Sequence, residues 1–354
     1  MSSSSTRFKQ KDVAEVWHWF RSALAAYDFL RKLEPDEQTE RCLDKVAEVV
    51  AYSAEELRER ESIVGKVRTA GQGLPAEGVR SLDELELRWF DRYVRGVPDP
   101  GLADIAPVTY FENGAGHWRT DSGWLPPDVT FRALHLGGPA SPGSSGRLTW
   151  TTTSSGPDSL PWNPVAGACT RSTVQWTAGA GAGTPCETDQ SGNDQGGLAY
   201  DFKVTKPLRL LGPLTARLFV VGDGHDGQIT ARVEDVAPSG SATQLTAGWQ
   251  VLSLRALDRA RTVMRDGLIV QPYHPFTRGS VTAVPSGKPI EVDVEVFPTG
   301  ALLARGHVLR LSLQTADEPH LTPPLPQTLN SAGGSLQVLH DGAHPSELVV
   351  PVRG

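Results

Sequence analysis

Serines flanked by glycine are the first candidates for chemistry in this sequence, and two stretches carry them: GSSGR from Gly143 and GGSLQ from Gly333. A serine nucleophile requires G-x-S-x-G between a strand and a helix, because glycine alone permits the tight turn that lifts the hydroxyl into the open. Both stretches lack the final glycine and no helical pattern follows either, so no catalytic serine is expected. His340 and His344 stand four apart in HDGAHP, the spacing of a zinc pair on a helix, but Gly342 and Pro345 deny that helix. Asp223, Asp226, Glu234 and Asp235 offer the clustered carboxylates that calcium favours, although strand alternation already places Glu234 on a solvated face. His274 in PYHPF and His307 in GHVLR read as loop-holding hydrogen-bonding groups. The expectation is no metal and no cofactor.

The sequence has three cysteines. Cys42 lies in a helical stretch and reads as a small core residue. Cys169 and Cys186 sit in a loop-rich region, where a disulfide closing about 16 residues would contribute roughly 3 kcal/mol in an oxidising compartment. Neither has a second Cys or His at metal-ligand spacing. The bonded and the reduced pair both remain open on this reading.

The elements that must position these residues change character along the 354-residue chain. From Asp12 to about Glu61 the period is helical: Val13, Val16, Trp17, Phe20, Leu24, Tyr27 and Leu30 form one stripe, and Leu43, Val46 and Val50 another. SLDELELRWFDRYVRG, Ser81 to Gly96, opens on a capping box of Ser81 and Glu84 and ends at glycine. Leu82, Leu85, Trp89 and Tyr93 recur along one side of it, with Phe90 beside them, a wide aromatic face that needs a partner surface. Beyond Pro107 the period is two. Ile290, Val292, Val294 and Val296 alternate with Glu291, Asp293 and Glu295; Ile229, Ala231 and Val233 alternate with Thr230, Arg232 and Glu234; and HVLRLSLQ alternates through Leu309, Leu311 and Leu313. Short strands between Gly, Pro and Asp turns predict an antiparallel β-sandwich preceded by a small α-helical region. Residues 137–197 read as long loops carrying a few strands.

The formal charge of −7 offers no basic field for nucleic acid, so no nucleic-acid partner is expected. No apolar run approaches the roughly 20 residues that span a bilayer. MSSSSTRFKQKD lacks the apolar core of a signal peptide, which gives a cytoplasmic expectation, with secretion the alternative if the N-terminus is truncated.

From about Ser81 onward the sequence resembles the CocE/NonD hydrolases and the related X-Pro dipeptidyl-peptidases. The pieces that carry the resemblance stand in the family's order: RWFDRYVRGVP, PVTYFENGAGHWRTDSGWLPP, RLFVVGDGHDGQITARVEDVAPSG, VFPTGALLARGHVLRLSLQTADEPH and VLHDGAHPSELVVPV. The resemblance implies an α/β-hydrolase domain with a Ser-His-Asp triad, a helical cap and a C-terminal jelly roll of galactose-binding-like type. It divides this chain into cap-like helices over 1–62, a remnant end of the hydrolase domain over 63–100 and the jelly roll over 101–354. The family's histidine would fall in IVGKVRTAGQG, which has none, and His18 is the only histidine before His117. The triad is therefore expected to be absent, and the chain inactive alone. The partners implied are a hydrolase domain in trans or a second copy docking on the Trp89 helix. A rival reading is a carbohydrate- or protein-binding module that stacks ligands on Trp118, Trp124 or Trp162.

Overall fold

The computed structural model of the chain describes residues 82–98, 106–152, 154–176 and 184–354. The chain divides into two compact units, residues 1–106 and 107–354. The helices expected over 12–61, and Cys42 with them, lie outside the described residues. In the first unit, α1 covers Leu82–Tyr93 and closes at Gly96, whose φ of 69° favours glycine.

The second unit is mainly β. A hairpin of β1 (Val108–Glu112) and β2 (His117–Asp121) precedes β3 (Val129–Gly137), β4 (Gly146–Thr149) and β5 (Ser155–Pro161). Short helices α2 (Arg171–Trp176), α3 (Pro185–Thr188) and α4 (Ser191–Asp194) follow. Then come β6 (Leu198–Lys203), β7 (Leu208–Val221), β8 (Gln228–Val236), β9 (Ala242–Val251) and a small ribbon of β10 (Val263–Arg265) and β11 (Leu268–Gln271). β12 (Ile290–Leu303), β13 (Val308–Gln314), helix α5 (Leu325–Asn330), β14 (Ser335–His340) and β15 (Glu347–Arg353) complete it.

Eleven strands form one sheet in the order β12-β9-β8-β13-β6-β4-β3-β15-β7-β14-β5, and β12 also pairs with β7. That extra pairing folds the sheet back on itself into a sandwich with barrel-like closure. It runs almost the full length of both strands, broken by a register shift between Val296 and Thr299. The expected apolar faces meet inside: Ile229, Ala231, Val233, Val292, Val294, Val296, Leu309, Leu311 and Leu313 are all fully buried in one core.

The alternating polar residues do not all face water. Thr230, Arg232 and Glu234 were expected on a solvated face, yet each is fully buried. Groups from the stretches 161–176 and 184–197 bond to β13 and to Asp317 on this polar side. Gln314 donates to the Asn193 carbonyl (2.6 Å), Ser312 to Asp194 (2.8 Å), and Arg310 to Asp194 and Asp201 (3.0 and 2.8 Å). Arg232 pairs with Asp317, which also accepts from Ser172 (2.7 Å) and Trp249 (2.8 Å). Burial first, and then Asp194 beside it, hold the Glu234 carboxyl well above the usual carboxylate range.

Asp293 is a second correction. Glu291 is exposed and Glu295 half-buried as alternation demands, but Asp293 is buried. It stands opposite Arg217 of β7, which stands opposite Glu347 of β15, which stands opposite His135 of β3. This charged row crosses four strands. Burial, with the Glu291 charge adding to it, pushes the Asp293 carboxyl up to about 6. A folded value above that of the unfolded chain means that protonated Asp293 adds stability below about pH 4, and that this is lost as the pH rises through about 6. Asp293→Asn is therefore expected to leave stability near pH 4 unchanged and to raise it by up to about 3 kcal/mol above pH 7. Urea titrations at the two pH values check this, and an equal effect at both would contradict it.

Candidate functional site

The arrangement closest to hydrolytic chemistry joins His340, noted in sequence only for its spacing from His344, to Ser155 and Asp158, which no local motif announces. β5 and β14 pair with a register shift that sets His340 opposite Ser155. Ser155 Oγ lies 2.8 Å from His340 Nδ1, and His340 Nε2 lies 2.8 Å from Asp158 Oδ2. Asp158 also accepts from the Tyr200 hydroxyl and the Ala140 N–H, both at 2.9 Å. Ser155 Oγ accepts the Gly138 N–H at 3.0 Å, which leaves its own proton for His340. Burial, then the Asp158 carboxylate, pushes the Tyr200 phenol well above its ordinary value, so it remains a donor.

This is the connectivity of a serine-hydrolase relay, serine to imidazole to carboxylate. Its imidazole and carboxylate are withdrawn from solvent. His340 is 1% exposed and Asp158 4%. Gly138 lies against both: a Cβ added there would sit 2.8 Å from Asp158 Oδ1 and 2.9 Å from His340 Cε1. The Gly138 N–H, a donor that could have faced an oxyanion, is engaged by Ser155 itself. The relay is a polar clamp between the two strands, with its donors and acceptors matched as burial requires.

The residues singled out by sequence fall apart in space. Ser144 closes a tight turn with Ser141, Ser145 accepts from Arg310 at 3.3 Å, and Ser335 opens β14; none stands on a strand-to-helix elbow. His344 turns to Asp341 at 3.2 Å, away from the relay that holds His340. Asp223 accepts from the His225 N–H, Asp226 caps Ser253, and Asp235 binds His307 at 2.8 Å. With Glu234 buried beside Asp194, the four carboxylates do not converge. Among the described residues no group of three or more His, Cys, Asp or Glu is placed to hold a metal ion. His274 lies between the carbonyls of Ala256 and Asp293, at 3.2 and 2.8 Å.

Cys169 is disulfide-bonded. The side chain of Cys186, on α3, lies outside the described residues, as do those of Leu82 and Leu85. Among the described side chains of α1, Leu87 is buried, while Trp89 is 50% and Tyr93 61% exposed. The Trp89 ring lies 5.2 Å from Phe90 and 4.9 Å from Tyr93. Trp118 packs edge-on against Phe111 in the β1–β2 hairpin, and Trp124 is largely exposed. The Trp162 indole is clamped between Gly227 and Gly334, where an added Cβ would come within 1.8 and 2.8 Å of the ring.

Residues 100–349 match the profile of the X-Pro dipeptidyl-peptidase C-terminal non-catalytic domain. The chain belongs to that family. It is 28% identical over 271 residues to a Mycobacterium bovis protein described as a candidate serine esterase, covering 75% of this chain and 40% of that protein. It is 26% identical over 294 residues to the cocaine esterase of a Rhodococcus species, covering 77% and 46%. A CocE/NonD family hydrolase from Staphylococcus aureus shares the fold with a TM-score of 0.54 at 18% identity, over 77% of this chain and 46% of that one. The chain thus spans less than half the length of these relatives, and it corresponds to their C-terminal, non-catalytic portion. No helix among the described residues is long and apolar enough to cross a membrane.

The relay should act on stability alone. Ser155→Ala is expected to lower the unfolding free energy by about 1 kcal/mol and His340→Ala by about 3 kcal/mol, because the second leaves a buried carboxylate short of a donor. Urea unfolding measures both, and parent-like stability of His340→Ala would show that the clamp contributes nothing. For the disulfide we propose Cys186 as the partner of Cys169. Peptide mapping without reductant is expected to recover that link, and a Cys42–Cys169 peptide would overturn it.

Proposed function

We propose that this chain is the non-catalytic β-domain of a CocE/NonD-type serine hydrolase, and that the jelly-roll form of galactose-binding-like type describes its sandwich. Cleavage of an ester or amide, including release of an X-Pro dipeptide, belongs in this reading to an α/β-hydrolase domain on which the β-domain rests. The observation that carries it is the match of residues 100–349 to the C-terminal non-catalytic domain, and the burial of His340 and Asp158 in the Ser155–His340–Asp158 chain supports it. A buried imidazole beside a serine that stands on a strand, not on a strand-to-helix elbow, is not set up for acyl transfer. The half-exposed Trp89 and Tyr93 on α1 supply the contact surface, for a hydrolase domain in trans or for a second copy.

The purified chain is expected to hydrolyse neither p-nitrophenyl esters nor X-Pro anilides and to take up no fluorophosphonate probe. Stoichiometric labelling of one serine would refute the reading. Trp89→Ser should weaken self-association or capture of a hydrolase domain in sedimentation, with the thermal unfolding of the β-domain unchanged. If association is unaltered by the substitution, the contact surface lies elsewhere.

A further inference from the structure

The disulfide at Cys169 joins an accessible residue to the buried charge pair beneath it. Cys169 is exposed, yet the backbone on either side of it is drawn onto Asp317. Gly167 lies so close that an added Cβ would sit 2.4 Å from Asp317 Oδ1. Ser172 is 1% exposed and donates to Asp317 Oδ2 at 2.7 Å. Thr170 and Thr173 both donate to the Gly167 carbonyl, at 3.0 and 2.8 Å, and close the turn that carries the cysteine. Asp317 in turn is the partner of the fully buried Arg232.

Cys169 also lines a cavity of about 420 Å³, together with Val165, Ala168, Asp189 and Asn193. Among the described residues Asp189 is the one charged group in that lining. It accepts the N–H groups of Ser191 and Ala242, both at 3.0 Å, which favour its ionised form. Arg171, two residues from Cys169, turns its guanidinium to the Gln244 carbonyl at 3.3 Å. The stretch 177–183, TAGAGAG, adds no charge. A reagent approaching Cys169 through this cavity therefore meets a negative charge.

The attacking thiolate in thiol–disulfide exchange must reach a sulfur, so exposed disulfides are the labile ones. With Cys186 as its partner, the bond closes a loop of about 16 residues, in which TAGAGAG offers no side chain larger than threonine with which to pack. The cross-link then limits how far the turn from Gly167 to Ser172 can lift from Asp317.

We propose that Cys169 is a thiol–disulfide exchange site for small neutral or cationic thiols, and that opening the bond loosens the turn seated on Asp317. A small dithiol supplies the two electrons. Its thiolate attacks one sulfur, and the other sulfur leaves as a thiolate and takes up a proton. The second thiol of the reagent then displaces the protein from the mixed disulfide, which yields a second protein thiol and a cyclic disulfide. Without the cross-link the turn opens more often, and in the open form water replaces Ser172 at Asp317.

The test uses the full oxidised chain without denaturant. Dithiothreitol is added, free thiols are trapped with N-ethylmaleimide, and peptide mapping reads Cys169. Opening is expected with the circular dichroism of the sheet unchanged. Hydrogen exchange over residues 166–173 should then quicken on the order of a hundredfold, the change that closing a loop of about 16 residues corresponds to, while β7 and β12 keep their protection. Cys186→Ser should show the same fast exchange without reagent. For the class of thiol, the exchange rate with cysteamine is divided by that with mercaptoacetate at low ionic strength. Asp189→Asn keeps an acceptor for Ser191 and Ala242, and should lower that ratio about tenfold. A disulfide that resists dithiothreitol until the chain unfolds would overturn the proposal. So would unchanged hydrogen exchange over 166–173 after reduction, or the same rate ratio in Asp189→Asn.

Discussion

Two charges without access to water govern the layering of this domain. Arg232 and Asp317 are both fully buried, and neither could stay so alone, because an unpaired buried charge is destabilising by several kcal/mol. Arg232 projects from β8 on the side away from the apolar core, so its partner must come from a second layer. Asp317 supplies that partner and gathers Ser172 and Trp249 around it. The approach is close enough that Gly167, at φ 85°, has Asp317 Oδ1 only 2.4 Å from where a Cβ would lie. The covering segment is thereby held against the sheet at a point where no other residue would fit. Asp194 with Arg310 and Ser312 repeats the device farther along β13.

This second layer marks the limit of what alternation could reveal. A period of two says which residues share a face, and the apolar sets of β8, β12 and β13 were legible for that reason. It does not say what lies over the other face. Arg232, Glu234 and Asp293 are of types that ordinarily mean water, and the stretches whose groups reach the first two, 161–176 and 184–197, belong to a Gly-, Ser- and Thr-rich run with no amphipathic signature of its own. Its polarity is what suits it to cover a polar face, because every group that it removes from water must find a partner. The sheet closure was likewise hidden: the β7–β12 pairing depends on a register shift at Val296 that no residue pattern encodes.

The family was legible through short pieces, and the hairpin explains why one of them is distinctive. In PVTYFENGAGHWRTDSGWLPP the Glu112 carboxylate is fully buried, held by Arg119 from the facing strand and Arg209 from β7 at 2.7 Å. Gly114, at φ 79°, turns where a Cβ would meet the Leu302 carbonyl. Arg353 on the last strand then binds Asp121 and Asp128. Each of these residues is constrained by a long-range partner, so the order of the pieces carries information that no single piece has. The relay escaped notice for the converse reason. Ser155 and Asp158 are near neighbours in no distinctive pattern, and His340, which drew notice only for its spacing from His344, is 185 residues from the serine.

The relay also shows how little of a hydrolase its hydrogen bonds define. Serine, imidazole and carboxylate are connected here with distances of 2.8 Å at both steps. What differs is everything around them. A nucleophile acts only where its oxygen faces empty, shaped space with donors aimed at the charge that will develop. Here the Gly138 N–H is directed at the serine rather than at a substrate, and His340 and Asp158 are withdrawn from solvent. A side chain on residue 138 would not open the site; it would collide with Asp158 and His340 and force the two strands apart. The same three residue types that cut bonds on an open elbow therefore join β5 to β14 within a sheet, and what surrounds them decides which.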